Sequence, residues 1–216
     1  RRDVNGTLGY RELISTSDYR AKYQRGGIAG RIVDAMPNAC WRGEMELIED
    51  ESKETYTPFE AAWHDLDQRL QIRAKLQRVD RLAGLSTYAV LLIGAADGNL
   101  EAELPKIAAS ETSSKKLIYF TAFSGGGGPA KRNDLQMDRT ISTGADATIF
   151  EYDTDPKSPR FGLPLSYQLR RISADDHFAK PVHWSRIQHV AEGCLDDDVF
   201  GIPTLERVWN LLEDLE

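Results

Sequence analysis

The sequence predicts an α+β protein, with helices at both ends and a central, mainly antiparallel β region. Three observations predict it. Thr57-Pro58-Phe59-Glu60 opens a long helical recurrence of apolar residues. Thr87 to Ile93, TYAVLLI, is a continuous apolar run rich in β-formers. From Leu117 to Val190, short β-rich runs are separated by turn residues rather than by regular helices, and a last helical recurrence follows them.

Residues 1 to 15 read as irregular, after which Asp18 caps a helix running to about Met36, with Pro37 ending it. Gly26, Gly27 and Gly30 fall inside that span. Each costs about 1 kcal/mol relative to alanine, so the helix is either interrupted there or packed closely on another element. Ile28, Ile32 and Val33 form its apolar stripe. The acidic stretch Glu44 to Glu54 reads as a strand or short segment opening into a solvated loop.

Thr57 to Glu60 then has the form of a capping box: the threonine oxygen accepts from the N3 amide, Pro58 occupies N1, and Glu60 reaches back. Phe59, Trp63, Leu66, Leu70, Leu76, Val79 and Leu82 carry the helix to Gly84, a C′ candidate. Arg69, Arg73, Lys75, Arg78 and Arg81 form its basic, solvated face. A buried strand over Thr87 to Ile93 and a turn at Asp97-Gly98 follow. Further strands are expected over Leu117 to Phe123, Thr148 to Tyr152, Leu165 to Ile172 and Val182 to Val190. Leu205, Val208, Trp209, Leu212 and Leu215 recur at helical spacing up to Glu216, and the opening Arg1 has no leader, so the 216 residues read as one region of a longer protein, ending inside a helix.

With 41% apolar and 28% charged residues the composition is that of an ordinary globular chain, and no apolar run approaches the ~20 residues that span a bilayer, so no membrane partner is expected. A formal charge of −7 argues against a broad basic nucleic-acid surface, while leaving room for DNA that must slide past without sticking. Cys40 and Cys194 fit neither a disulfide framework nor a zinc site.

No motif assembles a catalytic, cofactor or metal site. Ser124 to Asp134, SGGGGPAKRND, lacks the lysine-hydroxyl spacing of a phosphate loop and reads as a flexible hairpin or loop. His64, His177, His183 and His189 form no metal-ligand spacing, and His183-Trp184-Ser185 is a single H-x-S where two-histidine phosphodiesterases use a pair. Alternation over 182 to 190 sets Trp184, Arg186 and Gln188 on one face and His183, Ser185 and His189 on the other. Asp196-Asp197-Asp198 lacks the glycine and distal glutamate of a calcium loop. In YDTDPKSPRFGLPLSYQL, residues 152 to 169, Pro156, Pro159 and Pro164 stiffen the backbone, and Asp153 and Asp155 are read as hydrogen-bonding braces of the proline turns.

Four stretches taken in order, RIVDAMPNACWR (31 to 42), RVDRLAGLSTYAVLLIG (78 to 94), DTDPKSPRFGLPLSY (153 to 167) and VHWSRIQHVAEGCLDDDVFGIPTLERVWNLLEDLE (182 to 216), resemble the portal proteins of tailed double-stranded DNA bacteriophages, in the branch formerly described as a phage domain of unknown function. The resemblance implies a portal-like fold and a self-assembled ring, commonly of twelve subunits, at one capsid vertex. It further implies double-stranded DNA in the channel, with terminase, capsid and tail-connector proteins as partners, and a location in the virion after assembly in the host cytoplasm. It implies no cofactor. Some relatives in this branch are associated with a phosphodiesterase that destroys host cyclic-nucleotide defence signals, the alternative function, but the paired histidine motif is absent here. In a ring subunit, 153 to 164 becomes a braced, extended element. Its candidate subunit-contact residues are Arg160, with a planar guanidinium suited to a carboxylate or to carbonyls, and Asp153 and Asp155; the competing reading is that Arg160 braces its own loop.

Overall fold

Helices precede and follow a single six-stranded sheet in the computed structural model, which describes residues 4–11, 13–43, 45–49, 57–105, 116–125, 145–173 and 176–215. After the short α1 (Val4–Leu8), α2 (Thr16–Arg25) starts at Ser15 rather than at Asp18. The Ser15 hydroxyl accepts from the Asp18 amide (3.2 Å) and the Asp18 carboxylate accepts from the Ser15 amide (2.9 Å), so Asp18 is the N3 partner of a capping box. One extended residue, Gly26, breaks the expected helix, and α3 (Gly27–Cys40) resumes from it. Pro37 lies inside α3 and is buried, and the stripe turned inward is Ala29, Val33 and Pro37, leaving Ile28 at 57% exposure.

The second capping box forms as read, with Thr57 accepting from the Glu60 amide and Glu60 accepting from the Thr57 amide (3.2 and 2.9 Å). The helix it opens is two helices, α4 (Pro58–Leu70) and α5 (Ile72–Gly84), joined by Gln71 in the left-handed region at φ 52°. Leu66 is buried and Trp63 and Leu70 half-buried; Phe59 is exposed, as are Arg69 and Arg78, whereas Arg73 donates to the carbonyls of Trp41 and Arg42. Gly84 is the last residue of α5, not a left-handed C′ residue; an added Cβ would lie 2.9 Å from Thr204 Oγ1, so close packing is what calls for glycine.

The sheet runs β5-β4-β3-β2-β1-β6, with β1 (Ala89–Ala95), β2 (Leu117–Gly125), β3 (Ala145–Tyr152), β4 (Pro164–Ser173), β5 (Asp176–His183) and β6 (Ile187–Val190). All neighbours are antiparallel except β2 and β3, which pair in parallel at Ser124 with Asp146 and Gly125 with Ala147. The span 182 to 190 is not one strand: a 3-10 turn over Trp184–Arg186 separates β5 from β6, so the expected alternation of faces fails there.

β1 is buried on both faces, which is why its sequence is continuously apolar rather than alternating. Ala89 and Leu91 pack with Ala122 against Val79 and Ala83 of α5. Tyr88, Val90 and Leu92 face the other way, into a core shared with Phe123, Ala147, Tyr167, Leu169 and Val182. A third cluster joins the two ends of the described chain: Tyr19, Ala29 and Val33 pack on Leu205, Trp209 and Leu212 of the closing 3-10 turn and α6 (Trp209–Asp214). The first residue of that recurrence, Leu205, is fully buried, but Leu215 is exposed.

Tyr88 crosses over Gly125, where an added Cβ would come within 2.6 Å of its ring, and its hydroxyl donates to the Ala147 carbonyl at 2.9 Å. Tyr88→Phe should therefore lower unfolding free energy by about 1 kcal/mol in urea melts, by leaving that buried carbonyl with one partner fewer; an unchanged midpoint would show that the hydroxyl does not help join β3 to the rest of the sheet.

Candidate functional site

The connection from β3 to β4, residues 153 to 163, is a closed loop, not the extended element the resemblance implied. The Asp153 amide donates to the Leu163 carbonyl (2.9 Å) and the Gly162 amide to the Asp153 carbonyl (2.8 Å), which pins the two ends together. Inside it, Ser158 donates to Asp155, Phe161 to Ser158 and Leu163 to Arg160 through the backbone. Gly162, at φ 82°, supplies the left-handed residue the closure requires.

Both aspartates act as braces. Asp153 is buried; one carboxylate oxygen accepts from the Asp155 amide (3.0 Å) and the other from the Ser158 hydroxyl. Those bonds, the Ser158 one foremost, hold its carboxyl below the usual range, with the Arg160 charge adding a smaller effect. Asp155, exposed at the surface, accepts from the Lys157 amide (2.9 Å). Arg160 lies with its guanidinium carbon 3.5 Å from the centre of the Trp184 ring and donates from Nη2 to the Pro164 carbonyl (2.9 Å). Its buried Nε has no hydrogen-bond partner among the described residues. The three candidate residues thus meet in one loop, but through backbone atoms and an aromatic ring rather than through an Arg160-carboxylate pair.

Beneath Trp184 lies a residue that the strand reading concealed. Arg186 is fully buried and donates to both Asp97 carboxylate oxygens and to the carbonyls of Ala102 and Glu103. In the sequence Asp97 reads only as half of a turn. The Arg186 bonds hold the Asp97 carboxyl below the usual range. Ser185 adds a bond from the Leu104 amide to its hydroxyl (2.7 Å), so the 3-10 turn fastens the whole of 97 to 104.

The described histidines have separate partners. His64 is exposed beside Gln68 on α4. His183 Nδ1 is paired with the Ser185 hydroxyl (2.9 Å). His189 stacks on Tyr88, pairs through Nδ1 with the Tyr167 hydroxyl (3.1 Å) and through Nε2 with the Val199 carbonyl (2.8 Å). That arrangement suits a neutral ring with the proton on Nε2, and burial pushes its pKa down. The side chain of His177 and residues 126 to 144, which include most of the glycine-rich stretch, lie outside the described residues. Asp197 caps the turn to Val199 and Phe200, and Cys40 and Cys194 are exposed free thiols. Among the described residues no cluster of three or more metal-ligating side chains forms, and no helix is long and apolar enough to cross a membrane.

A search by family model matches residues 17–216 to a family described as phage portal protein. The chain belongs to the phage portal protein family. No curated protein matches it. The family match encloses all four stretches on which the resemblance rests, including the braced loop and the Arg186 turn, and it makes a portal-type structural role the coarse functional assignment.

Two measurements probe this portal-family chain. Arg160→Ala removes the Trp184 stack and the bond to Pro164, and should cost about 1–3 kcal/mol of subunit stability; an unchanged melting temperature would leave the guanidinium free for a role outside the loop. Glu192 is pushed up to about 7 by burial, and further by the hydrogen bond and charge of Asp80. Its folded pKa lies above the ordinary 4.5, so its stabilising contribution is complete below that value and is lost as pH rises through about 7. Glu192→Gln should match the parent near pH 4.5 and exceed it in stability above neutrality in paired denaturant melts; a constant difference across the range would refute the assignment.

Proposed function

We propose that the chain is a subunit of the portal ring at the capsid vertex, through which double-stranded DNA is packaged and later ejected, with terminase, capsid and tail-connector proteins as its partners. The observation that carries this reading is the family match over residues 17–216. The geometry supports it. Loop 153 to 163 bonds most of its backbone amides internally, so docking it on a neighbour costs little further ordering. Asp155, Lys157 and Phe161, the last 61% exposed, are among the side chains of that loop open to a neighbouring subunit, while Asp153 and Arg160 fix its shape from within. We assign the candidate subunit contact to this loop. The formal charge of −7 suits a channel wall that does not hold DNA by phosphate attraction.

Sedimentation and electron microscopy test the assembly directly: the reading expects closed rings with an axial channel, and particles that stay monomeric at every concentration would overturn it. Cyclic and linear nucleotides should survive incubation with the protein. Turnover that disappears in His183→Ala would instead make the chain a phosphodiesterase.

A further inference from the structure

We propose that the cleft beside the braced loop of one subunit receives the basic outer edge of α5 from the next copy of this chain, head to tail. The proposal rests on the ring reading above and names the two surfaces that would close it.

The cleft has a volume of about 290 Å³, with Phe150, Leu165 and Pro181 as apolar walls and Glu101, Glu151 and His183 among its polar lining. Glu151 and Leu165 flank the loop itself. Phe150 is 60% exposed, an aromatic face with nothing described upon it. Glu101 and Glu151 are exposed and form no ion pair among the described residues. Arg160 and Arg186 are engaged elsewhere, Arg160 with Trp184 and Arg186 with Asp97. An apolar-walled cleft with two carboxylates at its rim fits a long cationic side chain, whose methylenes lie on the walls and whose head meets the carboxylates.

Such side chains are present on the other half of the molecule. Arg73 and Arg81 of α5 are committed to the Trp41 and Arg42 carbonyls and to Asp34. The side chains of Lys75 and Arg78, three residues apart on one edge of the same helix, form no hydrogen bond or ion pair among the described residues; Lys75 is half-buried and Arg78 exposed. The sheet order sets the two surfaces apart: the cleft belongs to β3, β4 and β5, whereas α5 packs on β1 and β2. Complementary patches on opposite halves of one chain cannot meet within a subunit, and between copies they give a heterologous contact, the kind that closes into rings. With a formal charge of −7 two copies repel overall, so local sign reversal is what would orient their approach.

The test is a charge swap in the whole chain. Glu101→Lys with Glu151→Lys makes both surfaces basic, and Lys75→Glu with Arg78→Glu makes both acidic. Each double variant alone should lose at least about tenfold in self-association by sedimentation at low salt, with its melting temperature close to the parent's, because Glu101, Glu151 and Arg78 are exposed and the half-buried Lys75 side chain makes no bond among the described residues. An equimolar mixture should associate again, since each variant now presents what the other lacks. Association of either variant at the parent's strength, or a mixture that stays apart, would overturn the contact while leaving the ring reading standing. A parent chain that never associates would overturn both.

Discussion

Among the described residues, the six strands make one sheet because β2 and β3 meet over two parallel residue pairs, Ser124 with Asp146 and Gly125 with Ala147. Two pairs are a short seam for halves of three strands each, and the side chains across it do what the backbone ladder does elsewhere. Gly125 leaves room for the Tyr88 ring to lie over β2 and for its hydroxyl to reach β3. His189 of β6 stacks on that ring and bonds to Tyr167 of β4, so one chain of aromatic and polar contacts runs through both halves. The apolar core on this face crosses the seam as well, from Val90 and Phe123 to Leu169 and Val182. Cross-strand burial of this kind, rather than hydrogen bonding, supplies most of what a sheet gains.

Each half then carries its own attachment. The β1 half is backed by α5, and through it by α3 and the closing α6, so the two ends of the described chain share a core. The β3 half carries the braced loop. Between them, buried charge is used to fasten irregular chain. Arg186 has its donors spread over Asp97 and two carbonyls, which is the condition under which a fully buried guanidinium is tolerable. Glu192 sits where residues 201 to 204 thread past the end of α5, its carbonyl accepting from Ile202, and Thr204 donates to the Gly84 carbonyl. Protonation of Glu192 near neutrality relieves its opposition to Asp80.

Patterns of local chemistry were readable from the residues alone: the capping box at Thr57, the buried strand at Ala89, the turn at Asp97-Gly98 and the bracing role of Asp153 and Asp155 all follow from what one or two neighbouring residues can bond. The misreadings have physical causes. The apolar recurrence is interrupted between Leu70 and Leu76, six residues apart and off the three-and-four spacing, and reading through that gap joined two helices that Gln71, in the left-handed region, separates. Ile28 and Val33 sit on adjoining lines of the same helix, and only the partner, the closing helix with Trp209, selects the line that is buried. Arg186 was hidden because its carboxylate partner lies 89 positions away in sequence, just past the end of the neighbouring strand β1. Long-range pairings of single charges have no periodicity to read.

Those same distances bear on what the braced loop can do. A carboxylate that is to act on a substrate needs an open lone pair and a neighbour to tune its proton affinity. Asp153 spends both oxygens on Ser158 and the Asp155 amide, and its hydrogen bonds favour the charged form rather than a proton near neutrality. Arg160 is likewise held, over the Trp184 ring. A segment whose Asp153 and Arg160 side chains are engaged in fixing its own shape has no charged group poised for chemistry, and what it presents at the surface is a fixed backbone with Asp155, Lys157 and Phe161 exposed on it. Rigidity bears on affinity in the same way: under the proposed ring reading a floppy loop would lose its entropy once per interface, so stiffening by Pro156 and Pro159 and a closed hydrogen-bond circuit would be felt as many times as there are contacts.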